Sequence, residues 1–207
     1  MRERTVSEAV IHRLPKYYRH LQELQERGVE RISSGELSAE MGFNASQIRQ
    51  DFNCFGGFGQ QGYGYRVNSL LHELSQILGL THVYNIVIVG AGNIGKALAR
   101  YAAFPQEGYE VKGIFDIREE VIGREINGIT VQNVADLPEF LQQNQIDIGV
   151  ICTPKDNAQK TADVLTQGGV RALWNFAPID VEAEKACIEN VHLSDSLYVL
   201  SYRLTNS

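Results

Sequence analysis

Asn85-Ile86-Val87-Ile88-Val89-Gly90-Ala91-Gly92-Asn93-Ile94-Gly95 decides the fold of this 207-residue chain. Ile86 to Val89 is an unbroken apolar, β-branched run, the pattern of a parallel strand covered on both faces. A Gly-x-Gly-x-x-Gly turn follows, and then Lys96-Ala97-Leu98-Ala99-Arg100-Tyr101, a good helix former. In a dinucleotide-binding turn each glycine has a mechanical task. Gly90 makes the tight turn, Gly92 lets the backbone approach a pyrophosphate, and Gly95 lets helix and strand pack closely. The first N–H groups of the helix then face the phosphates. A glycine turn that binds nothing is the competing explanation.

The chain continues as such a unit should. Glu110-Val111-Lys112-Gly113-Ile114-Phe115 reads as the next strand and ends in Asp116, close to the expected ~20 residues after the turn. A carboxylate there accepts hydrogen bonds from the adenosine ribose and repels a 2′-phosphate. This predicts NAD(H) as the cofactor, with Asp116 and its neighbour Ile117 at the ribose and Arg118 placed to soften the exclusion. Further buried strands are expected at Ile129-Thr130-Val131, at Ile146 to Cys152 and at Arg171 to Trp174, with helices over 138–143 and 158–167. Thr153-Pro154 and Asn175-Phe176-Ala177-Pro178 fall at strand ends, where the rim of a nucleotide crevice lies, although ordinary turn chemistry also explains Pro154.

The first 80 residues read differently. Val10, Leu14, Tyr17, Leu21 and Leu24 form one apolar helical stripe, with Pro15 as kink or starting point and Gly28 as stop. Ser33-Ser34-Gly35-Glu36 is a capping box opening a short helix that ends at Gly42, and Asn44 caps a second helix over 45–54. Ala45, Ile48 and Phe52 share one face of that helix. Ser46, Gln47, Arg49, Gln50 and Asn53 share the other, which is the side-chain chemistry that reads base edges in a major groove. Two short helices around a tight turn predict a helix-turn-helix, the alternative being a solvated polar face. Residues 55–67 hold five glycines in nine residues interleaved with aromatics. That composition suits a β-hairpin wing close to a DNA backbone, with Gly59, Gln60, Tyr63, Tyr65 and Arg66 in reach of phosphate and sugar. A connector helix is expected over 68–80.

Bulk properties agree with this division. The net charge of −6 is uneven, since residues 1–70 hold nine Lys/Arg and eight Asp/Glu while 71–207 hold ten and seventeen. A DNA-binding front end is thereby permitted. Cys54, Cys152 and Cys187 are odd in number and widely spaced, which predicts a reducing cytoplasm, no disulfide framework and no metal site. A thiol switch is the minor alternative. No apolar run is long enough for a membrane helix, and the polar N-terminus does not read as a secretion signal.

The chain resembles the Rex family of redox-sensing transcriptional repressors. Arg31-Ile32-Ser33-Ser34, Gln47-Ile48-Arg49-Gln50-Asp51-Phe52, Phe55-Gly56-Gly57-Phe58-Gly59, Gly62-Tyr63-Gly64-Tyr65, the glycine turn and Asn175-Phe176-Ala177-Pro178 carry the resemblance in family order. It implies an α/β protein with an N-terminal winged helix-turn-helix (residues 1–80), a Rossmann-type parallel sheet domain (81–190) and a C-terminal swapped helix (191–207). It further implies a homodimer that binds double-stranded operator DNA and leaves it when NADH binds. The cofactor residues are then Gly90 to Gly95, Tyr101, Asp116, Ile117, Thr153, Pro154 and Asn175 to Pro178. By the same resemblance Arg19, Tyr101, His192 and Leu193 form the switch, with His192 standing where relatives commonly carry an acid and Asp195 as a substitute. Gln50 and Gln60-Gln61 make the front end less basic than the family pattern.

Leu193, Leu197, Leu200 and Leu204 repeat at spacings of four and three, a stripe for a partner subunit or for the chain's own domain. An NAD-dependent dehydrogenase is the rival function, and a Rossmann domain that only dimerises the chain is a third. The dehydrogenase needs a substrate pocket and an acid/base beside the nicotinamide. Only 55 residues follow Cys152, four of the five histidines precede the glycine turn, and no Tyr-x-x-x-Lys pair occurs.

Overall fold

The computed structural model describes residues 6–59 and 63–206. They form two compact units that divide after His82.

In the first unit, α1 (Glu8–Ile11) and α2 (Leu14–Glu26) are separate helices, because Pro15 sits in the first turn of α2 and starts it rather than kinking a longer one. Leu14, Tyr17, Leu21 and Leu24 are all buried, so the stripe faces the core as its spacing requires. Strand β1 (Arg31–Ile32) leads into α3 (Ser34–Met41), whose capping box joins Ser33 and Glu36 and whose stop, Gly42, is left-handed. Helix α4 (Ala45–Asn53) is capped by Asn44. Strand β2 (Tyr65–Arg66) pairs antiparallel with β1, and α5 (Val67–Ile77) closes the core through Val67, Leu70, Leu71 and Leu74. The expected hairpin within 55–67 is therefore corrected. Among the described residues the partner of the second strand is Arg31–Ile32, which lies before the helix-turn-helix, while residues 60–62 of the glycine-rich stretch lie outside the described residues.

The second unit is a seven-stranded sheet in the order β5-β6-β4-β3-β7-β8-β9. Its strands are β3 (Tyr84–Val89), β4 (Tyr109–Asp116), β5 (Glu125–Ile126), β6 (Ile129–Asn133), β7 (Ile148–Ile151), β8 (Ala172–Asn175) and β9 (Cys187–Asn190). All pairs are parallel except β5 with β6. Without β5 this is the doubly wound order, with β3 central and the strand order reversing between β3 and β7. Along β3 the side chains alternate between two cores. Val87 and Val89 pack with Phe115, Leu141, Ala158, Ala162 and Leu165, whereas Ile86 and Ile88 pack with Ala99, Ile114, Val131 and Val150.

Helices α6 (Asn93–Ala99), α7 (Leu137–Gln143) and α8 (Lys155–Gln167) connect the strands, and α9 (Leu193–Thr205) ends the described chain. β5 and β9 were not expected from sequence. β5 joins β6 through Asn127-Gly128, both at positive φ, and Asn-Gly between two short apolar pairs was the available signal.

Candidate functional site

In the first unit the site begins with the two caps. The Ser33 hydroxyl accepts from Glu36 N at 3.1 Å while the Glu36 carboxylate accepts from Ser33 N at 2.7 Å, and Asn44 Oδ1 accepts from Ser46 N at 2.8 Å. These set where α3 and α4 start, and so which face of α4 is inward. Ser46, Arg49, Gln50 and Asn53 are exposed and Gln47 is half-buried. Arg49 is steadied by donating from Nη1 to Ser34 Oγ at 3.0 Å. The expected reading face is therefore present as one polar surface.

The inward face contains a residue that sequence reasoning left unassigned. Asp51 is only 2% exposed, among Ile48, Phe52 and Tyr17. It accepts from Arg13 Nε at 2.6 Å, from Arg13 Nη2 at 2.8 Å and from the Tyr17 hydroxyl at 2.7 Å. Burial first, and then the bond to Asp51, push the Tyr17 phenol up, and the same carboxylate raises Arg13. This fork ties α4 to the start of α2. A carboxylate three residues after Ile48, on the apolar face, was the signal, because a buried acid requires a partner.

At the wing, Tyr63 and Arg66 are exposed, as is Gly59, while Gln60 lies outside the described residues. Tyr65 departs from expectation. It is 7% exposed and its ring packs edge-on against Phe52 at 5.2 Å, so it holds the core rather than a phosphate. The strand alternation explains this, with Arg66 outward and Tyr65 inward. Arg19 is exposed and lines an open cavity of about 450 Å³ with Lys16, His20, Glu23, Glu40, Met41 and Phe43.

In the second unit the glycine turn sits at the switch point between β3 and β7. Gly90 has φ +106°, and a Cβ there would lie 2.4 Å from the Cys152 carbonyl oxygen. A Cβ on Gly95 would lie 1.9 Å from the Gly90 oxygen. Both glycines are required by the protein's own packing. Gly92 is not, since its backbone is ordinary and a Cβ would meet nothing within 4 Å. The space in front of Gly92 is where a pyrophosphate would approach. Next to Gly90, where an added Cβ would lie 3.1 Å from Thr153 N, the buried Thr153 Oγ1 has no hydrogen-bond partner among the described residues. An open cradle beside an orphaned hydroxyl fits the phosphates of a dinucleotide. Asn93 and Ile94 begin α6 beside this space, and Pro154 caps α8. Cys152, whose thiol burial pushes up to about 12, is a poor nucleophile at neutral pH.

The second rim is built differently than expected. Asn175 is fully buried. Its Nδ2 donates to the Ile179 carbonyl at 2.7 Å and to Asn190 Oδ1 at 2.8 Å, and its Oδ1 accepts from Ala177 N at 3.0 Å. All three of these bonds go to protein, so Asn175 shapes the loop instead of binding a ligand with its side chain. Ala177 is likewise buried, leaving Phe176 half-buried and Pro178 exposed. Phe176 packs on Trp174 at 4.6 Å, Trp174 on Phe104 at 6.3 Å and Phe104 on Tyr101 at 4.9 Å. This aromatic chain links Tyr101 to the rim across the unit. Phe104 and Trp174 were missed, and a periodic pattern carries no signal for them.

Asp116 also differs. Its side chain is 5% exposed. Its Oδ2 accepts from Ala91 N at 2.7 Å and Arg118 Nη2 at 2.9 Å, and its Oδ1 accepts from Arg118 N at 2.9 Å and Nε at 3.0 Å. Burial pushes the carboxyl up, but the Arg118 guanidinium, its N–H and the Ala91 N–H more than reverse this and hold it at about 2. The bare carboxylate expected at the ribose is thus already paired, with Ile117 exposed beside it. At the far end His192 caps α9, and its Nε2 lies 2.8 Å from Asp180 Oδ1, which raises the imidazole. Asp180 is the nearer carboxylate to His192, and Asp195 adds a smaller pull in the same direction. Leu193, Leu197, Leu200 and Leu204 are each at least half exposed.

A helix-turn-helix with an exposed Gln/Arg/Asn face, joined to a doubly wound sheet with an open glycine turn, defines a DNA-binding regulator of the nucleotide-responsive class. Comparisons with known proteins agree. A DNA-binding protein N-terminus family matches residues 5–53, and the CoA binding domain family matches residues 81–179. The redox-sensing transcriptional repressor Rex of Thermoanaerobacter sp. (strain X514) is 54% identical over 96% of this chain and 89% of its own length. The solved structure of RSP with β-NAD⁺ and operator DNA is 54% identical, with a TM-score of 0.92 over 97% of this chain and 93% of that one. RSP with β-NADH is 51% identical, with a TM-score of 0.91 over 98% and 95%. The chain belongs to the Rex family of redox-sensing transcriptional repressors. These relatives are named as repressors rather than enzymes, which sets aside the dehydrogenase alternative. No helix among the described residues is long and apolar enough to cross a membrane.

Proposed function

We propose that this chain represses transcription as a homodimer, holding operator DNA through residues 1–80 and releasing it when NADH enters the Rossmann-type domain at 81–190, with 191–207 exchanged between subunits. The observation that carries this is the pairing of two features in one chain: a capped, outward Gln/Arg/Asn helix face, and a glycine turn whose middle glycine has no packing reason to be glycine. RSP, similar over nearly its whole length, is solved with NADH and with operator DNA.

On this reading Arg49, Gln50 and Asn53 meet base edges, Gln47 sits at the margin, and Ser46, Tyr63, Arg66 and the glycine-rich stretch approach phosphates. Gly90 to Gly95 and Thr153 hold the pyrophosphate, Asp116 and Ile117 border the adenosine ribose, and Pro154, Phe176, Pro178 and Tyr101 border the nicotinamide. The coenzyme supplies no reaction here; its oxidation state is the signal. Two-fold symmetry places two α4 helices about one turn of DNA apart, ~34–36 Å. The half-exposed leucines of α9 support the exchange of that helix, and Arg19, Tyr101, His192 and Leu193 are the proposed switch residues around it. Binding of operator DNA and of NADH supports a cytoplasmic location.

The energetics set a condition. Moving a two-state equilibrium from 1:99 to 99:1 needs a differential affinity of ~10⁴, about 5.5 kcal/mol. Shared by two sites, this is about a hundredfold per NADH. A gel-shift titration of a protein–operator complex tests it. NADH is expected to release DNA at far lower concentration than NAD⁺, and equal effects of the two would refute a redox readout.

A further inference from the structure

Asn175 and Asn190 stand side by side at the ends of the parallel strands β8 and β9. Each strand then leads to a different functional part. Asn175 opens the rim loop with Phe176 and Pro178, while Val191 and His192 alone separate Asn190 from α9. Asn190 Oδ1 accepts from Asn175 Nδ2 at 2.8 Å and from Val181 N at 3.2 Å, so one side-chain oxygen holds the rim loop at two points. Backbone groups dictate how both amides are turned. Ala177 N can only donate, which draws Asn175 Oδ1 towards it, and Val181 N does the same for Asn190 Oδ1. Val191 N donates to the Asn175 carbonyl at 2.8 Å, and Asp180 lies 2.8 Å from His192 across the same gap. Farther along the loop, Gln159 of α8 accepts from Glu182 N at 3.0 Å and donates to the Glu182 carbonyl at 2.9 Å. Glu182 is thus fixed on α8, and a displacement of residues 176–181 is passed to residues 190–192.

We propose that Asn190 is a positioning residue that couples the nicotinamide rim to the start of the exchanged helix. The inference rests on the NADH-responsive repression proposed above and names the joint through which occupancy of the crevice reaches α9. Phe176 and Pro178 meet the nicotinamide, the loop they belong to shifts about Glu182, and Asn190 passes the shift to the first turn of α9. Two side-chain ties cross the gap, and they are unequal. The Asp180 side chain is 71% exposed, so its pair with His192 is screened by water and weak. Asn175 is fully buried, so its bond to Asn190 forms where water competes least. Loss of the Asn190 acceptor leaves Asn175 still bonded to the Ile179 carbonyl and to Ala177 N. The rim then keeps its shape for the ligand and loses its link to β9, which separates binding from response.

The test compares the unaltered full chain with Asn190→Leu, which fills the place without an acceptor, and with Asn190→Asp, which keeps the acceptor. Calorimetric titration reads NADH affinity, and fluorescence anisotropy reads operator affinity with and without saturating NADH. Asn190→Leu is expected to bind NADH alone and operator alone within about threefold of the unaltered protein, while the factor by which NADH weakens operator binding falls about tenfold or more. Asn190→Asp should restore that factor to within about threefold. By reciprocity, operator should change NADH affinity by the same reduced factor in Asn190→Leu. A full NADH response in Asn190→Leu, an equal loss of response in both variants, or a folded Asn190→Leu that no longer binds NADH or operator overturns the assignment and leaves the nucleotide site standing. Should Asn190→Leu not fold, hydrogen–deuterium exchange of the unaltered protein decides. NADH is expected to change protection at residues 176–183 and 190–195 together, and a change confined to the first segment, or none in either, overturns the coupling. An unaltered protein that binds NADH yet keeps its full operator affinity refutes the repressor reading itself, and this inference with it.

Discussion

At the residue scale the deciding feature is a buried carboxylate on the helix proposed to read DNA. Asp51 takes three hydrogen bonds from Arg13 and Tyr17, and so transmits the position of α2 to the outward side chains Gln47, Arg49, Gln50 and Asn53. Removing one partner of such a group leaves the other charge without compensation in a desolvated place. Asp51→Ala is therefore expected to cost about 3 kcal/mol of folding stability by urea titration. The double variant with Arg13→Ala should cost clearly less than the two single losses together, because the orphaned guanidinium is then gone. A loss below about 1 kcal/mol for Asp51→Ala would show that the fork does not hold α4. Composition gave no hint of this. The sequence placed Asp51 beside Phe52, but a residue 38 positions away supplies its cation.

At the element scale the strand–turn–helix from β3 to α6 was legible in advance, because both its causes are local. A β-branched run makes a strand, and three glycines at set spacing make the turn. Their separate tasks emerge only from the neighbours that each lacks or has. Gly90 faces the end of β7, Gly95 faces the Gly90 carbonyl and Gly92 faces open space. Gly90→Ala should lower the melting temperature by roughly 10 °C in a circular dichroism melt, through left-handed strain and the contact with Cys152. Gly92→Ala should melt at the native temperature or slightly above it, while NADH affinity falls at least tenfold by titration. An unchanged affinity in Gly92→Ala would remove the pyrophosphate from that space. The wing shows the limit of such local reading. Its glycine-rich composition was visible, but its strand partner β1 lies more than 30 residues upstream and no turn signal points there.

At the scale of the whole molecule, α9 has no buried residue, and its leucine stripe is exposed along its length. Leu193, Leu197 and Leu200, each at least half exposed among the described residues, fit the surface of a second subunit. A two-fold interface places a substitution there twice, so Leu197→Glu should convert the dimer to monomers in sedimentation velocity and weaken operator binding at least a hundredfold. A dimer that survives this change would show that α9 is not the exchanged element. The sequence by itself determined the two-unit plan, the helix caps, the glycine turn, the central strands β3, β4, β6, β7 and β8 and the apolar stripes. Each of these is written in the propensity or period of a few consecutive residues. Only the tertiary structure decided that Tyr65 and Asn175 hold the scaffold, that Arg13 clamps Asp51, that Asp180 meets His192 and that Arg118 covers Asp116. Those outcomes depend on which side chain has the shorter reach and the drier place once distant segments meet, and periodicity along the chain carries no information about that.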